Sequence, residues 1–187
     1  FYICVIIDLF SRKVIAHKIS KKNSTQLITS TFKIAHEERH PPSGLIFHSD
    51  RGAQYTSHRF QQLLHEHNTK QSFSQPGKPH DNAVAESFFA SLKKEELYRK
   101  DHPSDRAFQA CVASYIEFYN TKRPHHTLKN LTPCQMEESF CAAVKWDICV
   151  RITRFIRFRL HFETICIFMS HIWFGVSTLE SPVMPRH

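Results

Sequence analysis

Two carboxylates carry the chemical interest of this sequence. Asp50 closes LIFHSD, residues 45–50, where apolar residues read as the end of a buried strand and Arg51-Gly52 follow as a turn. Buried strands avoid acids, because desolvating an unpaired carboxylate costs several kcal/mol. An acid kept at a strand's mouth either braces the turn after it or holds something positive, such as a metal ion. The second acid is Glu86, in DNAVAESFFASLKKEEL, residues 81–97. It falls in the first turn or two of a helix, and its i+4, i+7 and i+8 neighbours are Ala90, Lys93 and Lys94. That spacing sets a carboxylate and one or two lysines on nearly one face. Taken alone, such a face is an ordinary solvated one. The interest lies in the pair, with thirty-five residues between an acid that ends a strand and an acid that opens a helix.

The elements that must position them follow from periodicity. YICVII, residues 2–7, is a continuous apolar run, as expected of an inner strand. A turn and a half-buried strand over 14–19 make a hairpin with it. Ser24 caps a predicted helix with Leu27, Thr31, Ile34 and Ala35 on one face, and HPPSG ends it. The strand 45–49 carries Asp50 at its exit. Ser57 opens a helix with Phe60, Leu63, Leu64 and His67 on one side, and 70–74 is a short strand. After the turn-rich loop 75–82, Asp81 or Asn82 caps a helix to about Tyr98. Ser104 caps the next, whose Phe108, Cys111, Val112, Tyr115 and Tyr119 keep helical spacing; Tyr115, Phe118 and Tyr119 read as core. The alternation predicts an α/β domain with a mixed sheet.

Composition narrows the class. A chain of 187 residues, 41% hydrophobic and 22% charged, is globular and has one domain with a real core. A formal charge of +8, with pI near 9.3, suits a polyanionic partner such as nucleic acid as readily as an ordinary basic protein. The six cysteines form no CxxC pair, which argues against zinc and reads as reduced thiols of a cytosolic protein. No signal peptide is visible, and no apolar run reaches the roughly 18 residues of a membrane span. Residues 141–187 differ in character. They are crowded with Phe, Ile and Arg, alternate like a strand over 151–163, and read as an extension with no evolved role, such as read-through past a damaged gene end. A genuine small β extension is the other reading.

Four ordered segments carry a resemblance: IDLFSRKVIAHKIS at 7–20, HSDRGAQYTS at 48–57, QPGKPHDNAVAESFFASLKKEEL at 75–97 and YNTKRPHHTLKNLTPCQM at 119–136. Together with the spacing of the acids, they resemble the integrase core of DDE transposases, in particular those of bacterial insertion sequences. The resemblance covers about 1–140, with 119–136 as the closing segment, and leaves 141–187 as an atypical extension. It implies an RNase-H-like fold, a mixed sheet flanked by helices. It also implies three carboxylates holding two divalent ions, Mg²⁺ or Mn²⁺, and no small-molecule cofactor. Such ions, about 3.5–4 Å apart, clamp the attacking and leaving oxygens of a phosphodiester. Carried over, Asp50 is the second acid and Glu86 the third. The implied partners are DNA, as transposon ends and target, and further copies of the chain in a multimer, with no membrane. The implied location is the bacterial cytoplasm, at the nucleoid.

The family's first acid lies on a first sheet strand, about a dozen residues ahead of the position of Tyr2. That strand and acid are missing from the sequence, leaving a sheet position open. Asp8 falls in the IDLFSR turn and is not expected to be a ligand. The expectation is DNA transposition chemistry by family, with this copy inactive; the alternative is a non-catalytic DNA-binding or transposition-interfering fragment. Lys78, His80, Asn82, Lys93, Lys94, Lys122 and Arg123 are the candidate DNA contacts, mainly to phosphates. Gln75 and Asn82 are candidates to position DNA near the metals. His48 is a candidate to support Asp50 from behind, whereas His125 and His126 fix the closing turn.

Overall fold

The computed structural model describes residues 1–75 and 82–142, together with the backbone of 173–180. Strands β1 (Tyr2–Asp8) and β2 (Val14–Ser20) form the expected hairpin. Its turn is held by Asp8, whose Oδ1 accepts the N–H groups of Phe10 at 2.8 Å and Ser11 at 3.3 Å. This is the turn role expected of Asp8. The hairpin leads into α1 (Thr25–Arg39), where Ser24 caps the first turn by accepting the Leu27 N–H. His40 ends α1 in the left-handed region, and Gly44, at φ +91°, makes the bend that only glycine adopts freely. Then come β3 (Ile46–Ser49), α2 (His58–Glu66), β4 (Lys70–Phe73) and α3 (Ala83–Leu92). A π turn over Lys93–Leu97 continues α3. The chain goes on through α4 (Asp105–Thr121), a short 3₁₀ turn (His126–Leu128) and a helix over 133–142, here α5. Thr132 and Gln135 cap α5 reciprocally, each side chain accepting the other's backbone N–H, with Pro133 at the first helical position. No helix among the described residues is long and apolar enough to cross a membrane.

The sheet has the strand order β2-β1-β5-β3-β4, where β5 is Trp173–Glu180. It is mixed. β1 pairs antiparallel with β2 and with β5, whereas β3 pairs parallel with β4 and β5. The position beside β1, open on the sequence reading, is therefore filled by the segment read as an extension without a role. The strand expected over 151–163 lies outside the described residues.

Alternation along β1 divides the core in two. Cys4 and Ile6 pack with Phe47 of β3 against Leu27, Ile28 and Phe32 of α1 and Phe60, Leu63 and Leu64 of α2. Ile3, Val5 and Ile7 face the other way, onto Phe88, Phe89 and Leu92 of α3 and Phe108, Val112, Tyr115, Ile116 and Tyr119 of α4. A strand covered on both faces needs apolar residues at every position, which is why YICVII does not alternate. Two expected core residues are on the surface: Ile34 is 40% exposed and Phe118 is 43% exposed. In α4 the buried stripe runs through Ile116 instead, and Cys111 is only half-buried.

Two polar devices tie the closing segment to the hairpin. Asn120 makes paired 2.9 Å bonds with the backbone of Val14, Oδ1 accepting its N–H and Nδ2 donating to its carbonyl. Glu137 of α5 pairs with Lys13 at 2.9 Å and with Arg39 of α1, and accepts the Ser11 hydroxyl at 3.1 Å. Burial works to raise the Glu137 carboxyl, but the Arg39 and Lys13 hydrogen bonds outweigh it and hold the group below its usual range. Asp8 is pushed up by burial, which its backbone bonds and Arg39 only partly offset.

Candidate functional site

Asp50 follows directly on β3, half-buried at the sheet's rim. Its Oδ1 accepts the Gly52 N–H at 2.9 Å, and the Ser49 hydroxyl donates to the Asp50 carbonyl at 2.9 Å. The Gly52 carbonyl in turn accepts the Tyr55 N–H, and Tyr55 is buried in the core under α1 and α2. One carboxylate oxygen thus braces the turn. The other has neither a hydrogen bond nor an ion pair among the described residues. Both roles open to this acid from sequence are compatible, because they use different oxygens.

The strand alternation gives Asp50 its side of the sheet. Phe47 enters the α1/α2 core, so His48 projects to the opposite face. Its ring nitrogens lie 3.0 Å from the Ser72 hydroxyl and 3.2 Å from the Ser74 hydroxyl, on or just beyond β4. Ser72 is the residue level with His48 in the parallel register. His48 is 8% exposed and braces β3 to β4, two residues before the acid it was expected to support. Asp50, two residues on from His48, continues on this same face.

That face is covered by α3. Glu86 lies in the first turn of α3, exposed, with no ion pair or hydrogen bond among the described residues. The positive end of the helix dipole favours a carboxylate there. Phe88, Phe89 and Leu92, one turn further along, anchor the helix on the sheet. Most of the other buried or half-buried acids have cations beside them: Asp8 with Arg39, Glu95 with Arg123, Glu96 with Lys100, Glu137 with Lys13 and Arg39. Asp50 and Glu86 both keep oxygens without a hydrogen bond or ion pair among the described residues. Such hard oxygen donors fit a divalent cation of the magnesium type. Among the described residues no three His, Cys, Asp or Glu side chains group to hold a metal ion.

The candidate DNA contacts divide. Lys78, His80 and the possible cap Asp81 lie outside the described residues. Asn82 stands at the N-cap of α3 without a side-chain capping bond, and Gln75 is exposed. Lys94 and Lys122 are exposed, and Lys93 is half-buried at the start of the π turn. Arg123 is turned inward. Its Nε and Nη2 donate to Glu95 at 2.9 and 2.7 Å, and its guanidinium lies 5.8 Å from the Tyr119 ring centre. The Arg123 hydrogen bonds, joined by one from the Tyr115 hydroxyl at 2.9 Å, hold the Glu95 carboxyl below its usual range. Nothing in the sequence marks this lock, because it joins residues brought together only by packing of the π turn on α4. His125 is buried against Tyr119, at 4.5 Å between ring centres, and its backbone bridges to Leu131. His126 opens the 3₁₀ turn. Both serve the closing turn, as expected.

Comparison with known proteins identifies the family and the fold. Two family models described as integrase core domain match residues 1–79 and 67–133. A transposase for insertion sequence element IS904 from Lactococcus lactis is 40% identical over 139 residues, 73% of this chain and 54% of its own length. The putative transposase InsK for insertion sequence element IS150 of Escherichia coli is 37% identical over 72% of this chain and 47% of its own. The chain spans about half the length of these curated relatives. Among solved structures, the catalytic core domain of BIV integrase matches with a TM-score of 0.57 at 20% identity, covering 75% of this chain and 88% of that one. A chain of the simian T-cell lymphotropic virus intasome matches at 0.58 and 21%, covering 72% and 47%. These likenesses show an integrase-core, RNase-H-like fold. Sequence and fold together place the chain in the integrase core domain family, the family of the transposases of bacterial insertion sequences.

Proposed function

We propose that this chain is the core of a DNA-transposing machine, with Asp50 and Glu86 as two of the carboxylates that hold divalent cations, and that in its present form it binds DNA without cutting it. What supports the reading is a pair of acids without partners among the described residues, one braced at a strand end and one in the first turn of the helix that packs on the β1 face opposite α1 and α2. When bound, divalent ions there would stabilise the negative charge gained by the attacking and leaving oxygens of a phosphodiester. The chain's own residues supply the frame. Gly52 N–H fixes the Asp50 carboxylate, His48 locks β3 to β4, and the aromatic anchors of α3 set the height of Glu86. Lys94 and Lys122, exposed in a chain of formal charge +8, would take the DNA backbone through its phosphates.

The expectation of silence in catalysis rests on chemistry: two carboxylates alone supply too few donors for a two-ion clamp, and among the described residues no three His, Cys, Asp or Glu side chains group to hold an ion. The alternative, a DNA-binding fragment that interferes with intact transposase, shares this property and differs only in whether the acids take up metal. Incubation with element-end DNA and Mn²⁺ tests the proposal. Salt-sensitive binding without nicking is the expected result. Nicking that disappears in Asp50→Ala would show instead that two acids suffice.

A further inference from the structure

Away from the two acids, α1 and α2 bring a pair of histidines together. His36 stands in the last turn of α1, and His67 is the C-cap of α2. Their ring centres lie 4.2 Å apart, with the planes inclined at 56°. The buried Phe32 backs both rings, 5.8 Å from His36 and 5.6 Å from His67 between centres. Both histidines are half-buried, and neither ring makes a hydrogen bond among the described residues. Half-buried polar rings are ordinarily engaged by a side chain or a carbonyl. This pair presents its nitrogens to nothing but each other and solvent.

The electrostatics of the place select an occupant. The C-terminal ends of two helices meet here, and the partial negative charge of each favours a cation. A proton on His36 does not meet that demand. Burial, the neighbouring His67 and His40 all lower its affinity for protons, and Glu37 restores only part of it. Two imidazoles this close repel each other when both are charged, but as neutral rings each offers a lone pair. One ion shared between them satisfies both rings and both helix ends. Imidazole nitrogens bind a metal such as zinc at about 2.0–2.1 Å, so two that share an ion lie no more than about 4 Å apart. The spacing of the rings is of that order. Nitrogen donors suit Cu²⁺, Ni²⁺ or Zn²⁺ rather than the magnesium that oxygen donors suit. No third His, Cys, Asp or Glu groups with the pair among the described residues, so water completes the shell.

We propose that His36 and His67 form a transition-metal site, for an ion of the copper, nickel or zinc class, that clasps the end of α1 to the end of α2. The site differs in donor chemistry from Asp50 and Glu86 and is independent of the function proposed for them. Its structural effect would reach them all the same. α2 begins where the turn that starts at Asp50 ends, so an ion between the helices would steady the element that follows this turn.

A Cu²⁺ titration of the full chain, followed by EPR, tests the proposal, because Cu²⁺ binds most tightly in the divalent series and its spectrum reports nitrogen ligands. The native chain should show a saturable site with two nitrogen ligands, and its melting temperature should rise as the ion is added. His36→Ala and His67→Ala should each weaken the site by about tenfold or more, and the double variant should lose no more than either alone. His36→Gln and His67→Gln should behave in the same way, and they keep a polar side chain of similar length should the alanine variants fail to fold. His58→Ala, at the other end of α2, and Asp50→Ala should bind Cu²⁺ as the native chain does. A native chain without a two-nitrogen Cu²⁺ spectrum overturns the proposal without recourse to any variant. So does a two-nitrogen spectrum that persists in the double variant, or one lost in His58→Ala or Asp50→Ala alone.

Discussion

Gly52 sits so close to Asp50 that a Cβ built on it would lie 3.0 Å from the Asp50 Oδ1. The same glycine donates the N–H that fixes this oxygen. Its small size is therefore a condition on the site, and the contact is too tight for an added methyl group unless the carboxylate gives way. Gly52→Ala is expected to lower Mn²⁺ affinity by about tenfold, or about 1.4 kcal/mol, while the melting temperature hardly moves; parallel metal titration and thermal unfolding check it. Asn120 shows the opposite balance. It touches no candidate ligand but closes the backbone N–H and C=O of Val14. Asn120→Ala leaves two buried polar groups unpaired and should cost about 2–3 kcal/mol in urea unfolding.

At the scale of elements, the helix that carries Glu86 departs from the straight helix that the sequence suggests. After Leu92 it widens into a π turn, which changes the phase of everything beyond. The expected single face of Glu86, Lys93 and Lys94 is thereby split, with Lys93 half-buried and Lys94 exposed. The same turn presents Glu95 to Arg123. An arginine that reads as a DNA contact in RPHHTL is thus committed to holding α4 against the π turn. The consequence is a separation of effects. Arg123→Ala should destabilise the fold by about 1–2 kcal/mol through loss of a bidentate, half-buried pair. Lys94→Ala and Lys122→Ala should leave stability unchanged, and each should lower the salt dependence of DNA binding by about one phosphate contact. Chemical denaturation and salt-titrated DNA binding, run on the three variants together, distinguish the roles. The helix caps at Ser24 and Ser104 and the hairpin turn at Asp8 were legible from sequence because each is a local hydrogen bond. Ile34 and Phe118 misled because helical periodicity gives a stripe without its edges, and the layer that covers each helix decides which edge is buried.

The whole molecule is a sheet closed by its own distal segment, and its pH response follows from how the sheet is covered. Burial lowers the affinity of His17, His36 and His125 for protons. Below the ordinary histidine range, near pH 6.5, the unfolded chain takes up protons that the folded chain refuses, so stability falls as pH drops from about 7. Glu95, Glu96 and Glu137, each held below its usual range, add a further loss as pH falls through the carboxylate range. Asp8, pushed up by burial, offsets part of that loss as it takes up its proton; the melting temperature at pH 4 should still lie below that at pH 7.5, and a higher value at pH 4 would contradict the account. The α/β class, the hairpin and the closing turn could all be read from sequence, since their signals lie in short windows. The partner of β1 could not. β5 pairs with a strand more than 160 residues away, and no local pattern records such a pairing. The claim on which the function depends is that Asp50 and Glu86 share one cation. Mn²⁺ binding to the native chain, to Asp50→Ala and to Glu86→Ala tests it most directly: saturable binding that either substitution alone abolishes is the predicted result, and binding that survives both unchanged would contradict it.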